Sequence, residues 1–252
     1  NAAVPGMLAA LDAQGIAREA VDWVVLTHVH LDHAGGTGAL MQALPNARLV
    51  VHPRGARHMI DPSALIAGAS AVYGADEVAR TYGELVPVDP ARVVEAGDGH
   101  VVEFGGRPLL CLDAPGHARH HIVIFDARSR CFFTGDTFGL SYRELDVDGR
   151  AFCFPTTTPT QFDPDALHNS IERMLAFGPE AMYLTHYSRV TEVPRLAADL
   201  HRLIDTQVAV ARAARGNGVA RHVEILAGLE QIVREEAARQ GWTVSEDTAL
   251  EV

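Results

Sequence analysis

The sequence contains no lysine, so all 21 of its basic residues are arginine. This absence excludes a lysine Schiff base and the lysine of a phosphate-binding P-loop. A GxSxG nucleophile motif is also missing, and no apolar run approaches the roughly 20 residues that a membrane-spanning helix needs. The three cysteines, Cys111, Cys131 and Cys153, lie in apolar stretches without a CxxC spacing. We therefore expect buried, reduced thiols rather than disulfides or a zinc ribbon.

The charge balance is acidic, with 32 acidic residues against 21 basic ones and a formal net charge of -11. Such a surface repels phosphate backbones, so we predict a small-molecule substrate and neither nucleic acid nor a membrane as a partner. No signal peptide is visible, and we predict a cytoplasmic protein. Residue 1 is Asn, and we expect the natural protein to begin upstream of it.

Apolar patterning predicts an α/β protein that forms one domain over residues 1–252. Val4, Met7, Leu8 and Leu11 have helical spacing. Two long helical patterns make a helical extension over 194–240, which could cap an active site or pair two subunits in a homodimer. A further helix is predicted from Asp163-Pro164 to about Phe177, and short helices over 36–45 and 53–83. Short strands are predicted over 23–27, 48–52, 85–88, 100–104, 108–114, 121–126, 131–135 and 181–185.

The stretch HVHLDH holds three histidines and one aspartate in six positions, directly after the predicted strand WVVLT. His28, His30 and Asp32 alternate along the chain, which points their side chains the same way, and His33 diverges from that line. Imidazole and carboxylate are ligands that zinc, iron and manganese share. This density of ligands predicts a metal site rather than a solvated loop.

Three later motifs also place a ligand-type residue at the end of a predicted strand. DAPGH ends on His117, FFTGD ends on Asp136, and YLTH ends on His186. Loops at one edge of a sheet can bring such residues together. LTH occurs twice, at 26–28 and 184–186, in matching positions after a strand.

HVHLDH, PGH, TGD and LTH in this order resemble the metallo-β-lactamase fold superfamily, over nearly the whole chain. The resemblance implies a four-layer αββα sandwich of two mixed β-sheets flanked by helices. It also implies two divalent metal ions, zinc first, with iron or manganese as alternatives. His28, His30 and His117 would hold one ion, Asp32, His33 and His186 the other, and Asp136 would bridge them. Family members usually begin with strands that precede the first helix of this chain, so we expect those strands to be missing from it.

The resemblance further implies a hydrolase, in which a hydroxide shared by two ions attacks a small ester, thioester or lactone. Asp32 and Asp136 would orient this nucleophile and handle its proton. Substrate contacts are predicted for Tyr187, for the threonines Thr156, Thr157 and Thr158, and for Arg119 near the His117 loop. One of His120 and His121, which lie close to His117 in the sequence, could support a ligand or line the pocket.

Two other functions fit the motif. One is a mononuclear iron dioxygenase of the sulfur dioxygenase type, which shares HxHxDH but holds its iron with only two histidines and one aspartate. The other is a non-catalytic metal-binding sensor. A flavodiiron reductase is disfavoured because it typically has Glu where His30 stands. A true β-lactamase and a nuclease are less favoured than a small-ester hydrolase.

Overall fold

The structure is a computed structural model that describes residues 1–158 and 160–242. Pro159, in the predicted threonine loop, and residues 243–252 of the predicted domain lie outside the described residues. The chain forms two compact units. The first consists of Asn1–Asp113 and Arg119–Ile124, and the second of Ala114–Ala118 and Phe125–Val252. The prediction of one domain over the whole chain stays a prediction.

The first unit is built on a three-stranded parallel sheet in the order β1-β2-β3. Its strands are β1 (Trp23–Val25), β2 (Arg48–Val51) and β3 (Val93–Glu95). Its helices are α1 (Val4–Ala13), α2 (Leu31–Ala34), α3 (Thr37–Ala43), α4 (Pro53–Ile60), α5 (Ser63–Tyr73) and α6 (Ala75–Tyr82). The predicted opening helix and the short helices over 53–83 are confirmed.

Alternation along β2 separates two layers of core. Leu49 and Val51 are fully buried and pack with Met41 of α3 and Met59 of α4. Val50 points to the opposite face, as a period of two requires, and joins a second cluster with Val102, Cys111 and Ile122 of the other sheet. Within this unit, helices therefore cover one face of the parallel sheet, and strands cover the other.

The second sheet contains six strands, β4 (Val101–Phe104), β5 (Arg107–Asp113), β6 (Ile122–Asp126), β7 (Cys131–Gly135), β8 (Ala181–Leu184) and β9 (Ser188–Val190). The hairpin between β4 and β5 turns on Gly105 and Gly106, whose φ angles of 52° and 76° are both positive. A two-residue hairpin turn of this kind needs positive φ at both central residues, which glycine adopts without strain.

The second unit contains helices α7 (Pro164–Leu175), α8 (Val193–Ala213) and α9 (Val219–Gln240). Asp163 caps α7 by accepting a hydrogen bond from the Ala166 N–H at 3.0 Å, as the Asp-Pro start predicts. Between α8 and α9, both guanidinium Nη atoms of Arg202 contact the buried carboxylate of Glu236 at 2.8 Å. The predicted C-terminal helices are therefore confirmed.

The prediction of a strand over LVPV (85–88) is wrong. Pro87 offers no N–H to a sheet ladder, and the carbonyl of Val86 lies against Gly38 of α3. Val88 donates its N–H to the Met59 carbonyl at 2.8 Å, so this segment binds α4 instead of a strand. Two strands that the sequence did not indicate are β3 and β9, each only three residues long. The predicted α/β class with two sheets and flanking helices is confirmed.

Candidate metal centre

The HVHLDH motif forms the turn between β1 and α2 in the first unit. The loop is fixed at its start, because the Leu26 N–H donates to the Val50 carbonyl at 2.9 Å. The Thr27 carbonyl accepts from the Ile122 N–H at 2.8 Å. These two bonds tie the segment before His28 to β2 and to β6, so the ligand-type side chains start from a rigid backbone.

Ring nitrogens of the motif converge. His28 is fully buried, and its Nε2 lies 3.0 Å from Nδ1 of His30. The rings of His28 and His33 have centroids 4.1 Å apart, and Nε2 of His33 lies 3.2 Å from Oδ2 of Asp32. The Asp32 side chain is 49% exposed, whereas that of His33 is 4% exposed. The motif thus presents three imidazoles and one solvent-facing carboxylate at one place.

His120 and His121 contact the HVHLDH motif within the first unit. The His121 ring stacks on His28 with centroids 4.6 Å apart and is fully buried. His120 accepts the Val29 N–H at its Nδ1, at 3.4 Å. Burial, and after it the proximity of His30, lower the pKa of His120 to about 3, so this histidine is neutral. Arg119 is predicted to contact substrate. Its backbone carbonyl accepts a hydrogen bond from Nη1 of Arg54 at 3.3 Å.

The remaining three predicted ligands belong to the second unit. Asp136 directly follows β7, and His186 follows the parallel strand β8, so both lie at the same edge of the sheet. His117 follows Gly116, whose φ is +124°. A Cβ at residue 116 would lie 2.4 Å from Cα of Leu167 in α7, so only glycine permits this close approach to the helix.

The carboxylate of Asp136 lies between the two histidines of this unit. Its Oδ2 lies 3.4 Å from Nε2 of His117, and its Oδ1 lies 3.7 Å from Nε2 of His186. Asp136 is 6% exposed and His117 is 3% exposed, whereas the His186 side chain is 38% exposed. Each carboxylate oxygen thus faces a different imidazole.

Thr156 fixes the protonation of His117. Its Oγ1 lies 3.1 Å from the Asp136 carbonyl and 2.8 Å from Nδ1 of His117. A threonine hydroxyl has one hydrogen, and a carbonyl can only accept. Both contacts are hydrogen bonds only if the hydroxyl donates to the carbonyl and Nδ1–H of His117 donates to the hydroxyl. Nε2 of His117 then carries a lone pair, as a metal ligand must.

The other residues predicted to contact substrate have varied settings. Thr158 donates to the His117 carbonyl at 3.0 Å, and Thr157 is exposed. Tyr187 is 42% exposed with a φ of 75°, and its ring lies 4.9 Å from that of Tyr142. The predicted substrate contacts of these residues, of Thr156 and of Arg119 stay predictions.

The donor set fits a metal. Histidine-rich groups among the described residues could bind a metal ion, and their donors are imidazole nitrogens and carboxylate oxygens, the ligands of zinc, iron and manganese. The cysteines do not compete as nucleophiles. All three are buried, and burial raises the pKa of Cys111 to about 11 and that of Cys153 to about 12.

A comparison with protein families confirms the predicted class. The family model described as the metallo-beta-lactamase superfamily matches residues 2–186. The chain therefore belongs to the metallo-β-lactamase superfamily, and the predicted fold class is confirmed.

Individual relatives share less than about a third of their aligned residues with this chain. The "Metallo-beta-lactamase fold-containing protein ST1585" of Sulfurisphaera tokodaii is 28% identical over 66% of this chain and 60% of its own length. The crystal structure of ST1585 aligns over 92% of this chain and 80% of its own with a TM-score of 0.60 and 25% identity.

Several relatives carry hydrolase or thioesterase names. A "Hydroxyacylglutathione hydrolase" of Ectopseudomonas mendocina is 29% identical over 71% of this chain and 52% of its own length. The "Acyl-coenzyme A thioesterase MBLAC2" of Gallus gallus is 30% identical over 44% of this chain and 40% of its own. The chain thus spans about half the length of the curated relatives that it matches. Among the described residues, no helix is both long and apolar enough to cross a membrane.

Proposed function

We propose that this protein is a metal-dependent hydrolase of a small ester, thioester or lactone, with thioesters favoured. Superfamily membership supports the general hydrolase chemistry. The hydrolase-named relatives support the thioester, because hydroxyacylglutathione and acyl-coenzyme A are both thioesters. The acidic net charge of -11 supports a small molecule over a nucleic acid as the substrate.

We infer the same ligand assignment that the motifs indicate, with two divalent ions, zinc first. His28, His30 and His117 would hold one ion, and Asp32, His33 and His186 the other. The observation that carries this assignment is the carboxylate of Asp136, whose two oxygens face His117 and His186 at 3.4 and 3.7 Å. A buried carboxylate with an imidazole at each oxygen suits a residue that contacts two neighbouring ions.

Bound divalent ions would supply a nucleophile at neutral pH and would polarise the carbonyl that is attacked. The chain's own residues position this chemistry. Asp136 is buried, so the charge of its carboxylate would be balanced by bound cations. Asp32 is half exposed, so it can exchange a proton with solvent during turnover. Thr156 holds His117 with its Nε2 lone pair directed away from the threonine loop.

The test is a substrate panel on the full chain loaded with Zn²⁺ or Mn²⁺, using a hydroxyacylglutathione, an acyl-coenzyme A, a carboxylic ester, a lactone and a phosphodiester. We expect metal-dependent hydrolysis of a thioester. Asp136→Asn should reduce the rate by more than the roughly 10- to 100-fold that the loss of a ligand's supporting partner costs. Asp165→Asn, on an exposed side chain of α7, is the matched control and should retain activity. The hydrolase proposal would be refuted if the metal-loaded chain cleaved none of these substrates.

Metal content, oxygen uptake and substrate turnover together separate the hydrolase from the two other functions. One iron per chain together with oxygen uptake would identify the dioxygenase. A full complement of metal without turnover of any substrate would identify the sensor. Cytoplasmic location and a homodimer formed through the terminal helices remain proposals, which fractionation of cells and the mass of the purified protein in solution would test.

A further inference from the structure

A second pair of histidines lies in the second unit, on helices that carry none of the proposed metal ligands. His168 of α7 and His201 of α8 face each other with their Nδ1 atoms 2.6 Å apart. Their rings are nearly parallel, with centroids 4.8 Å apart and an interplanar angle of 22°. Their side chains are 23% and 24% exposed, so water reaches the pair.

The Nε2 atom of each histidine contacts a carboxylate on the opposite helix. Nε2 of His168 lies 3.1 Å from Oδ1 of Asp205 on α8. Nε2 of His201 lies 2.8 Å from Oε1 of Glu172 on α7. The sequence has the same spacing in both helices, HNSIE over 168–172 and HRLID over 201–205, so each helix presents a histidine and, four residues later, an acid on one face.

This arrangement fixes where the protons are. A carboxylate can only accept, so each Nε2 must carry a hydrogen and donate it outward. The two Nδ1 atoms are then left with lone pairs that point at each other across 2.6 Å. Two lone pairs at this distance repel unless a cation lies between them, and that cation is either a shared proton or a metal ion.

We propose that His168 and His201 form a second metal site, separate from the HVHLDH centre, which binds a divalent transition metal such as Zn²⁺ through both Nδ1 atoms. Asp205 and Glu172 orient the rings, in the carboxylate–histidine–metal arrangement that supports imidazole ligands in known sites. The carboxylates of Asp205 and Glu172 are mostly exposed, and with two neutral imidazoles they give the cluster a formal charge of about -2, which attracts a dication. Water would complete the coordination on the exposed side.

The geometry needs only a small adjustment. Zinc binds imidazole nitrogen at about 2.0–2.1 Å with tetrahedral angles, which separates two such nitrogens by about 3.4 Å. The Nδ1 atoms, now at 2.6 Å, must move apart by less than about 1 Å, which rotation of two partly exposed side chains provides. The bound ion would join α7 to α8 and so stabilise the second unit.

The test is equilibrium dialysis of the full chain against micromolar Zn²⁺, followed by counting zinc per chain. We expect His168→Ala and His201→Ala each to bind one zinc fewer than the wild type. His222→Ala, which removes an exposed histidine on α9, is the matched control and should bind the wild-type number. Asp205→Asn should keep the fold and weaken this zinc about 10- to 100-fold.

Nitrogen NMR of the histidine rings gives a readout that does not depend on folding of the alanine variants. Zinc should shift the Nδ1 resonances of His168 and His201 in the wild-type protein. Equal zinc counts in the wild type and both variants, with unshifted Nδ1 resonances, would overturn the proposal and assign a shared proton to the pair. The hydrolase proposal would be untouched by that outcome, because it involves neither histidine.

Discussion

Replacing Thr156 with Val should weaken metal binding, although Thr156 is not itself one of the proposed metal ligands. Valine has nearly the shape of threonine, but it can neither donate nor accept a hydrogen bond. The substitution removes the acceptor of His117 Nδ1–H at 2.8 Å and the donor to the Asp136 carbonyl at 3.1 Å. Without this acceptor the His117 ring no longer favours the tautomer with its proton on Nδ1. If the proton moves to Nε2, the Nε2 lone pair is no longer available to a metal ion.

The size of the effect follows from burial. His117 is 3% exposed, so water replaces the lost partner poorly. A buried polar group that loses its partner costs about 1–3 kcal/mol. Supporting partners of metal-binding histidines are worth about 10- to 100-fold in affinity, or about 1.4–2.8 kcal/mol at about 1.4 kcal/mol for each factor of ten. The two ranges agree, so we expect a metal dissociation constant about 10- to 100-fold higher.

Competition with a fluorescent zinc chelator measures this change on the full chain. Thr156→Ser keeps the hydroxyl and should restore most of the affinity. Thr157→Val alters the exposed neighbour and should have no effect. The reasoning about the His117 tautomer is refuted if the valine variant binds zinc as tightly as the wild type, or if the serine variant is as weak as the valine variant while both remain folded by circular dichroism.

Three further predictions concern single residues. Asp32→Ala removes a half-exposed proposed ligand, so inductively coupled plasma analysis should find one ion fewer per chain, whereas loss of both ions would show that the two positions are not separable. Gly116→Ala places a Cβ 2.4 Å from Leu167 at a φ of +124°, and urea unfolding should show a loss of at least about 3 kcal/mol. Burial lowers the pKa of His52 below 6.5, so folding disfavours its charged form. Stability should therefore fall as the pH drops through about 6.5, and less so in His52→Asn, which retains a residue able to cap α4.

Much of the fold was predictable because its strands are apolar runs that end in turn residues. Gly105-Gly106 indicated its hairpin, and Asp163-Pro164 indicated the start of α7. Local patterns failed where pairing is decided by distant residues. The run LVPV is as apolar as a strand, but its Val88 N–H donates to the Met59 carbonyl and its Val86 carbonyl lies against Gly38. β3 and β9 are three residues each, too short for any periodicity to appear.

The candidate ligands could be named from the sequence because four of them lie within six positions and the other three follow strands. Their partners were not. Thr156 is 39 residues from His117 along the chain, and the hydroxyl of a threonine carries no pattern that indicates such a contact. Its sequence context suggested a substrate loop, and only the three-dimensional structure shows that the hydroxyl binds His117.

His168 and His201 show why the spacing of ligands within one segment is an incomplete guide to metal sites. Neither histidine lies near another histidine in sequence, so their spacing indicates no site. The relation that matters is between helices, since two copies of a histidine followed four residues later by an acid bring four side chains together when the helices pack antiparallel and in register. His28 and His30 place two ring nitrogens 3.0 Å apart within one loop, and His168 and His201 place two at 2.6 Å across two helices. Across the two helices, carboxylates at both Nε2 atoms leave the Nδ1 lone pairs opposed, and this opposition is what calls for a cation between His168 and His201.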